Sequence, residues 1–444
     1  MHAIKLKQNS RLQAAQILTK FKPAKANLSA LLSKELNSDR NISDKGFVRF
    51  LVWGVVRHLN TLDWFANKLL NNPQKTPKLL KNIILVGLSQ LIYASQRVAP
   101  YAAIFESVEA AKIGVSETSG KLVNALLRKY LREKDTIKLP DDALLKASIE
   151  YSFPEWLIER WFERFSKEEA IKLINACNIS PDLTLRINQH KSTPEFVLQE
   201  LNSQGYNATL CKYSPYGLNV EKPPELASIT GIDQKNIFVQ DEASQLVCLL
   251  LQANDSDFIV DVCCGSGTKS IFLSQLSKAK IIAIDSSAQK IAKARETAKI
   301  VLANNIEFKI ADALSVEIQN ADKVLLDAPC SGLGTLRRKP DIKWNKTQDD
   351  IIVKFPKLQK ELIESAAKML KVGGQLLYVT CSTEPEENEA VVSHFLNKNK
   401  NFVVQNIGEN KMFAQFVTKE GYFRSYPHIH NMDGFFAASL RRVL

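Results

Sequence analysis

From about residue 255 the sequence alternates between two patterns, and that alternation restricts the fold more than any other feature. DFIVDVCC (257–264), KIIAIDSS (280–287), IEFKIADA (306–313), DKVLLDAP (322–329) and GQLLYVTCS (374–382) each carry an apolar run ending in a polar, acidic or cysteine-bearing turn. Helical stretches such as SAQKIAKARETAKI and FPKLQKELIESAAKML lie between them. Apolar runs with no polar face need cover on both sides, so the pattern predicts a mostly parallel sheet with helices on both faces. In such sheets ligands bind beyond the carboxyl ends of the strands. The unusual residues of this region all fall at those ends.

The preceding chain follows another rule. Residues 1–140 show apolar positions at three- and four-residue spacing in RLQAAQILTKF, FVRFLVWGVVRHL, LLKNIILVGLSQLIYA and KLVNALLRKYLREK. Breaks fall at LNSDRNISDKG, NNPQKTPK and RVAPY, so six or seven short helices in an all-α bundle are predicted. A linker is expected near KLPDD (138–142). Residues 150–235 read as a small α+β connector, with TLRIN and YGLNV as strands around the helical EFVLQELNSQG. The expected division is 1–140, 150–235 and 236–444. No internal repeat is evident.

Bulk properties exclude several classes. The 444 residues are 45% hydrophobic and 24% charged, as in a soluble protein with sizeable cores. No run of eighteen apolar residues suggests a transmembrane helix. The amino terminus is basic and acid-poor, lacks a signal-peptide core and runs directly into helical periodicity. The seven cysteines form no C-x-x-C pair and the six histidines offer no zinc spacing, so a reducing compartment and no metal are expected. Net charge is +12, but its distribution is uneven. Residues 1–140 hold 23 basic and 9 acidic side chains, leaving 36 and 38 for the remainder. A basic module on a near-neutral body suits a polyanion such as nucleic acid, although a solvated basic surface has the same composition.

The first strand-end loop, DVCCGSGTKS (261–270), is not a Walker loop, because Cys263 and Thr268 stand where its two glycines belong. It is not G-x-G-x-x-G either, since Ser270 replaces the third glycine. A strand, a glycine-bearing turn and a helix start remain, which allow close backbone approach to a ligand. Asp285, 24 residues after Asp261, ends the next strand, where a carboxylate can accept from ribose hydroxyls. Asp312 ends the third, where an adenine edge would lie. Either aspartate could instead cap the following helix. Three such loops in register favour an adenosine-type cofactor, and the lack of a phosphate cradle favours S-adenosylmethionine over NAD or ATP.

LLDAPCSGLG places Asp327 and Cys330 after strand four, and LLYVTCSTEPEENE places Cys381 after strand five. A free cysteine is ordinarily a small buried hydrophobe. Two at adjacent strand ends, one in Asp-Ala-Pro-Cys-Ser, point to methylation at C5 of a pyrimidine. C5 is a weak nucleophile until a thiolate adds at C6 and makes the ring an enamine. An acid near N3, for which Asp327 suits, stabilises the adduct. A helix N-terminus just after Thr380-Cys381-Ser382, with Pro385 in its first turn, would favour a thiolate. The acidic run EPEENE opposes one, unless it serves to complement the helix dipole. Spacing leaves open which cysteine attacks.

FVQDEASQLV (238–247), DVCCGSGTKS, IIAID, IADA, LLDAPCSGLGTLRRKPDIKW, LLYVTCSTEPEENE and DGFFAASL (433–440) together resemble, in order, the motifs of the NOL1/NOP2/Sun family of RNA (cytosine-5)-methyltransferases. The resemblance implies a Rossmann-like domain, Cys381 as nucleophile and Cys330 as the cysteine assisting enzyme release. It also implies a cofactor set of Cys263, Cys264, Gly265, Ser266, Gly267, Thr268, Lys269, Asp285, Lys290, Asp312 and Asp327. FVRFLVWGVVRHL, APYAAIFESVEAAK and GKLVNALLRKYL resemble the NusB-like RNA-binding domain fused to the bacterial subfamily that acts on 16S ribosomal RNA. The connector is then RRM-like. The implied protein is a cytoplasmic monomer, without a membrane partner, acting on small-subunit ribosomal RNA before full assembly.

One departure stands out. The family usually has Cys-Ala-Ala-Pro-Gly-Gly-Lys-Thr in the first loop, whereas here Ser266 replaces the proline and Thr268 a glycine. Threonine tolerates positive φ poorly, so a reshaped turn is expected. The paired Cys263 and Cys264 are expected to be packing residues. Arg337, Arg338 and Lys339 are candidates for phosphate contacts, and Asp433 and Gly434 for the pocket rim. Rival readings are a non-catalytic RNA-binding factor with a decayed methyltransferase domain, the same chemistry on another RNA such as tRNA, and an NAD-type oxidoreductase.

Overall fold

The computed structural model describes residues 9–23, 27–38, 44–221 and 236–444. The basic start of the chain and the middle of the break at LNSDRNISDKG lie outside the described residues. By compactness the chain forms two units, one of 1–179 with 336–346 and one of 180–335 with 347–444. Among the described residues, no helix is long and apolar enough to cross a membrane.

The first unit is helical. Among the described residues up to 140, the α-helices are α1 (Ser10–Lys20), α2 (Leu28–Ser38), α3 (Lys45–Arg57), α4 (Leu59–Leu69), α5 (Lys78–Tyr93), α6 (Pro100–Gly114) and α7 (Glu117–Glu133). Side chains at the starts explain several boundaries: Asn9 accepts from Arg11 and Leu12 N–H, Asp44 from Phe47, and Ser116 from Ser119. Their apolar stripes meet in one core containing Val52, Val55, Ile83, Leu88 and Leu127, all fully buried. α8 (Ala143–Tyr151), α9 (Glu155–Arg164) and α10 (Lys167–Asn178) complete the helical run.

The segment 336–346, which follows Thr335 in the chain, packs within this helical unit. Lys343 Nζ donates to Arg57 O at 2.8 Å and Asn178 Oδ1 at 3.1 Å, and lies 3.9 Å from the Phe153 ring centroid. Trp344 Nε1 donates to Val56 O at 2.7 Å. Arg337 is buried and its carbonyl accepts from Arg57 Nη2, so it is a packing residue and not the phosphate contact expected for it. Arg338 is half-buried and Lys339 exposed.

The second unit opens with β1 (Leu183–Ile187), α11 (Pro194–Ser203), β2 (Asn207–Leu210), β3 (Gly217–Glu221) and β4 (Ile237–Val239). These strands form an antiparallel sheet in the order β2-β3-β1-β4. α12 (Glu242–Leu249), capped by Asp241, leads into the large sheet. Its elements are β5 (Phe258–Val262), α13 (Thr268–Leu276), β6 (Lys280–Asp285), α14 (Ala288–Ile300), β7 (Ile306–Ile310), β8 (Ala321–Asp327), a short α15 (Ile342–Asn345, in the helical unit), α16 (Phe355–Lys368), β9 (Leu370–Thr380), α17 (Glu389–Lys398), β10 (Phe402–Val404), β11 (Phe423–Arg424), α18 (Pro427–His430) and β12 (Phe436–Arg442).

The strand order is β10-β12-β9-β8-β5-β6-β7, with β11 also on β12. β9, β8, β5, β6 and β7 run parallel, as the alternation predicts, and β12 adds antiparallel to β9. The register explains the apolar runs. Val260, Val262, Ile282, Ile284, Val324, Leu326 and Leu376 enter a core on one face. Ile259, Ile281, Leu325, Leu377 and Val379 enter a core on the other, against Leu246 and Phe272. Successive residues point to opposite faces and both are buried, so alternation is replaced by continuous hydrophobicity. Every strand-end loop then emerges at one edge of a sheet between two dry layers.

Candidate active site

The first loop turns on glycines. Gly265 (φ 59°) and Gly267 (φ 76°) are left-handed, and Gly267 ends the loop as the residue before α13. Thr268 is the first helical residue, so the strain expected there is absent. It falls on Cys263, a non-glycine residue with φ 64°. Cys264 is buried among Ile271, Ala283, Ile291, Ala294 and Phe308, and half-buried Cys263 packs against the opposite cluster. Burial pushes the Cys263 thiol up to about 12, with Asp285 and Asp261 adding to the effect. Both cysteine side chains pack against apolar neighbours. Ser266 is exposed.

Asp285 holds this loop. Its Oδ2 accepts from Gly265 N–H at 3.0 Å and lies 3.4 Å from Lys290 Nζ, while Oδ1 accepts from Ser287 N–H at 2.8 Å. Ser287, not Asp285, caps α14. Asp312 is exposed and accepts from Leu314 N–H at 3.0 Å. Asp261 is fully buried. Its Oδ2 accepts from Ser270 Oγ at 2.5 Å, and its Oδ1 has no hydrogen-bond partner. Burial raises this carboxyl to about 7 against the opposing pull of Ser270.

β8 and β9 are neighbours, so the loops that follow them meet. Cys330 and Cys381, both half-buried, have sulfur atoms 3.3 Å apart. The hydrogen bond with Cys381 and burial both raise the Cys330 thiol well above its ordinary value, with Glu387 and Asp327 adding negative charge nearby. Asp327 Oδ2 pairs with Lys269 Nζ at 2.6 Å, joining the fourth strand end to the first loop. Burial pulls the Lys269 ammonium down, but Asp327 more than offsets this and the net shift is upward.

Two glycines let the loops approach. Gly334 N–H donates to Cys381 O at 3.0 Å, and Gly434 N–H donates to Gly334 O at 2.8 Å. A Cβ on Gly334 would lie 1.8 Å from Gly434 O. Asp433, buried, donates its N–H to Asp241 Oδ1 at 3.1 Å, which ties the carboxyl-terminal rim to the start of α12.

The loop after Cys381 differs from the expectation. Pro385–Glu387 is a short 3-10 turn, and the α-helix begins only at Glu389. Glu384 and Glu387 are fully buried, so they do not serve as exposed dipole-complementing charges. Ser331, Gln359, Ser382, Glu387 and Asn388 form a buried polar set beneath the two cysteines. Sequence reasoning missed this set, because Glu384 and Glu387 lie in the acidic run EPEENE and nothing local separates the buried glutamates from Glu386 and Glu389.

The strand ends thus bring together the first loop, Asp285, Lys290, Lys269, Asp327, Cys330 and Cys381. The open space beside Gly265, where an added Cβ would meet nothing within 4 Å, and the carboxylates around it fit a cationic, hydroxyl-rich cofactor. A family model described as 16S rRNA methyltransferase RsmB/F matches residues 248–441, the NusB family matches 8–132, and an RsmF/B-like ferredoxin-like domain matches 153–227. The probable ribosomal RNA small subunit methyltransferase B of Synechocystis sp. is 32% identical over 410 residues, covering 90% of this chain and 92% of the relative. The ribosomal RNA small subunit methyltransferase B of Cronobacter sakazakii is 31% identical over 440 residues, covering 97% and 98%. The crystal structure of PH0851 shares the fold across 98% of this chain and 99% of its own, with TM-score 0.79 and 24% identity. NSun6 from Pyrococcus horikoshii, solved with SFG, has TM-score 0.58 and 24% identity over 66% of this chain and 99% of its own. The architecture is therefore a NusB-type helical domain, a ferredoxin-like domain and a Rossmann-like domain with a mostly parallel sheet, and the chain belongs to the ribosomal RNA small subunit methyltransferase B family.

Proposed function

We propose that this protein methylates C5 of a cytosine in 16S ribosomal RNA, with Cys381 as nucleophile. The observation that carries the reading is the pair of thiols 3.3 Å apart at neighbouring strand ends. S-adenosylmethionine, when bound, supplies an electrophilic methyl group. The residues that would hold it are the first loop (263–269), Asp285, Lys290 and Asp312.

The chain's own work is on the base. The Cys381 thiolate bonds to C6, and the electron pair of the C5–C6 bond becomes available at C5. Asp327, with the Lys269 ammonium on it, is the polar pair we assign to the N3 side of the ring. After methylation a base takes the C5 proton, the C5–C6 double bond re-forms and the Cys381 sulfur leaves. Cys330, adjacent to that sulfur, assists its departure. The target base leaves its stack to reach the thiol, at a cost of a few kcal/mol that is smallest in a loop. The helical unit holds the RNA backbone, which its excess of 23 basic over 9 acidic residues in 1–140 supports. The protein acts as a cytoplasmic monomer on RNA not yet fully assembled.

The test is transfer of labelled methyl groups from S-adenosylmethionine to unmodified small-subunit RNA, followed by mapping of 5-methylcytosine. One modified cytosine is expected. Label on another position of the base, or none, overturns the assignment. Label on tRNA instead would keep the chemistry and change the substrate.

A further inference from the structure

Glu387 is fully buried six residues beyond Cys381. Its Oε1 accepts from Ser331 N–H at 2.7 Å and Gln359 Nε2 at 3.2 Å. Its Oε2 accepts from Ser331 Oγ at 2.5 Å and from Ser382 Oγ. Ser331 follows Cys330 and Ser382 follows Cys381, so one carboxylate grips the residue after each cysteine. The two hydroxyls are themselves 3.2 Å apart.

The surrounding bonds reinforce the grip. Gln359 Nε2 also donates to Pro329 O at 2.9 Å, on the other side of Cys330. Tyr378 Oη, from β9, donates to Glu387 O at 2.6 Å. Asn388 Nδ2 donates to Ser382 O at 3.0 Å. A buried carboxylate is expensive, and an apolar side chain would fill the space more cheaply. Burial does push the Glu387 carboxyl above its usual range, and donors from Ser331, Ser382 and Gln359 pull against that. Four donors on one carboxylate suit a group retained for geometry, because they fix two loops at once.

We propose that Glu387 is a positioning residue for the reaction: its carboxylate joins the Cys330 loop to the Cys381 loop and so sets the separation of the two thiols. The proposal rests on the reading of those cysteines as the reacting pair. Misplacing a reacting atom by about 1 Å can reduce turnover roughly 100-fold.

The experiment uses the full chain and the variant Glu387→Gln, with two readouts. The first is bridging by phenylarsine oxide, in which one arsenic atom bonds to two thiolates and water leaves with both thiol protons. The bridged peptides are mapped by mass spectrometry, with Cys330→Ala and Cys381→Ala as controls. The wild type should bridge Cys330 to Cys381, and Glu387→Gln should do so at least about 10-fold more slowly. The second readout is methylation, where kcat should fall roughly 100-fold while the RNA KM stays within about threefold. A merely structural role would lower the melting temperature without separating kcat from KM. Bridging and kcat both at wild-type levels would overturn the proposal. A changed bridging rate in a protein whose wild type methylates no RNA would overturn the functional reading and leave the clamp standing. Should Glu387→Gln not fold, Ser382→Ala removes one donor with the carboxylate intact. It should give a smaller loss in both readouts, and no loss in either would overturn the proposal.

Discussion

Cys330 and Cys381, 51 positions apart in the sequence, have sulfur atoms 3.3 Å apart at the ends of the neighbouring strands β8 and β9. Parallel pairing of those strands makes the contact, because it puts both following loops at the same edge. The hydrogen bond to Cys381 and burial raise the Cys330 thiol well above its ordinary value.

The roles proposed for the two cysteines predict opposite phenotypes. Cys381→Ala should abolish methylation and any covalent protein–RNA adduct. Cys330→Ala should accumulate an adduct that survives a denaturing gel. Reversed outcomes would exchange the roles of the two residues.

Gly334 should tolerate no side chain. A Cβ there meets Gly434 O at 1.8 Å and Cys381 O at 2.8 Å, both backbone atoms without freedom to turn aside. Gly334→Ala should displace the Cys381 loop and lower kcat roughly 100-fold, the loss associated with a displacement of about 1 Å. Circular dichroism should show the fold retained. Wild-type turnover would mean that the loop crossing is looser than the distances indicate.

Asp261 predicts a pH dependence. Its folded carboxyl titrates near 7, above the ordinary value of 3.8. Between those values the folded chain binds a proton that the unfolded chain has lost. The stability this contributes is full below the unfolded value and is lost as pH rises toward 7. Asp261→Asn, which keeps an acceptor for Ser270 and carries no charge, should therefore melt higher than wild type at pH 8. The gain at pH 8 should be several degrees or more, and should close near pH 4. Thermal melts without cofactor across that range measure it. A gain independent of pH would exclude a buried titrating Asp261.

The helical unit carries a testable basic stripe. Lys121, Arg128 and Arg132 are exposed on α7 at spacings of seven and eleven, which puts them on one helix face. Replacing all three with glutamine should weaken RNA binding and reduce the slope of log affinity against log salt by about 2, at roughly 0.7 to 0.9 per lost phosphate contact. An unchanged slope would move the RNA contact to another face. Point variants are preferable to truncation, because residues 336–346 pack inside this unit through Lys343 and Trp344 and would lose their partners.

Much of this protein was determined locally. Continuous apolar runs ending in Asp261, Asp285, Asp327 and Cys381 require a sheet covered on both faces with its chemistry at one edge, since period-two geometry admits no other burial. Three- and four-residue spacing likewise specified the amino-terminal helices. What the sequence by itself did not determine depends on contacts between distant segments. Thr268 looked strained, but the left-handed non-glycine residue of the loop is Cys263, and the turn is held by Gly265 bonding to Asp285 across 20 positions. Arg337 looked like a phosphate ligand, but its segment is packed in the helical unit. Glu387 read as part of an acidic run that opposes a thiolate or complements a helix dipole, yet it is fully buried and accepts from Ser331 and Ser382. Periodicity reports which face of an element avoids water. Only the tertiary structure decides which side chain from another segment completes a hydrogen bond, and that pairing positions the two thiols.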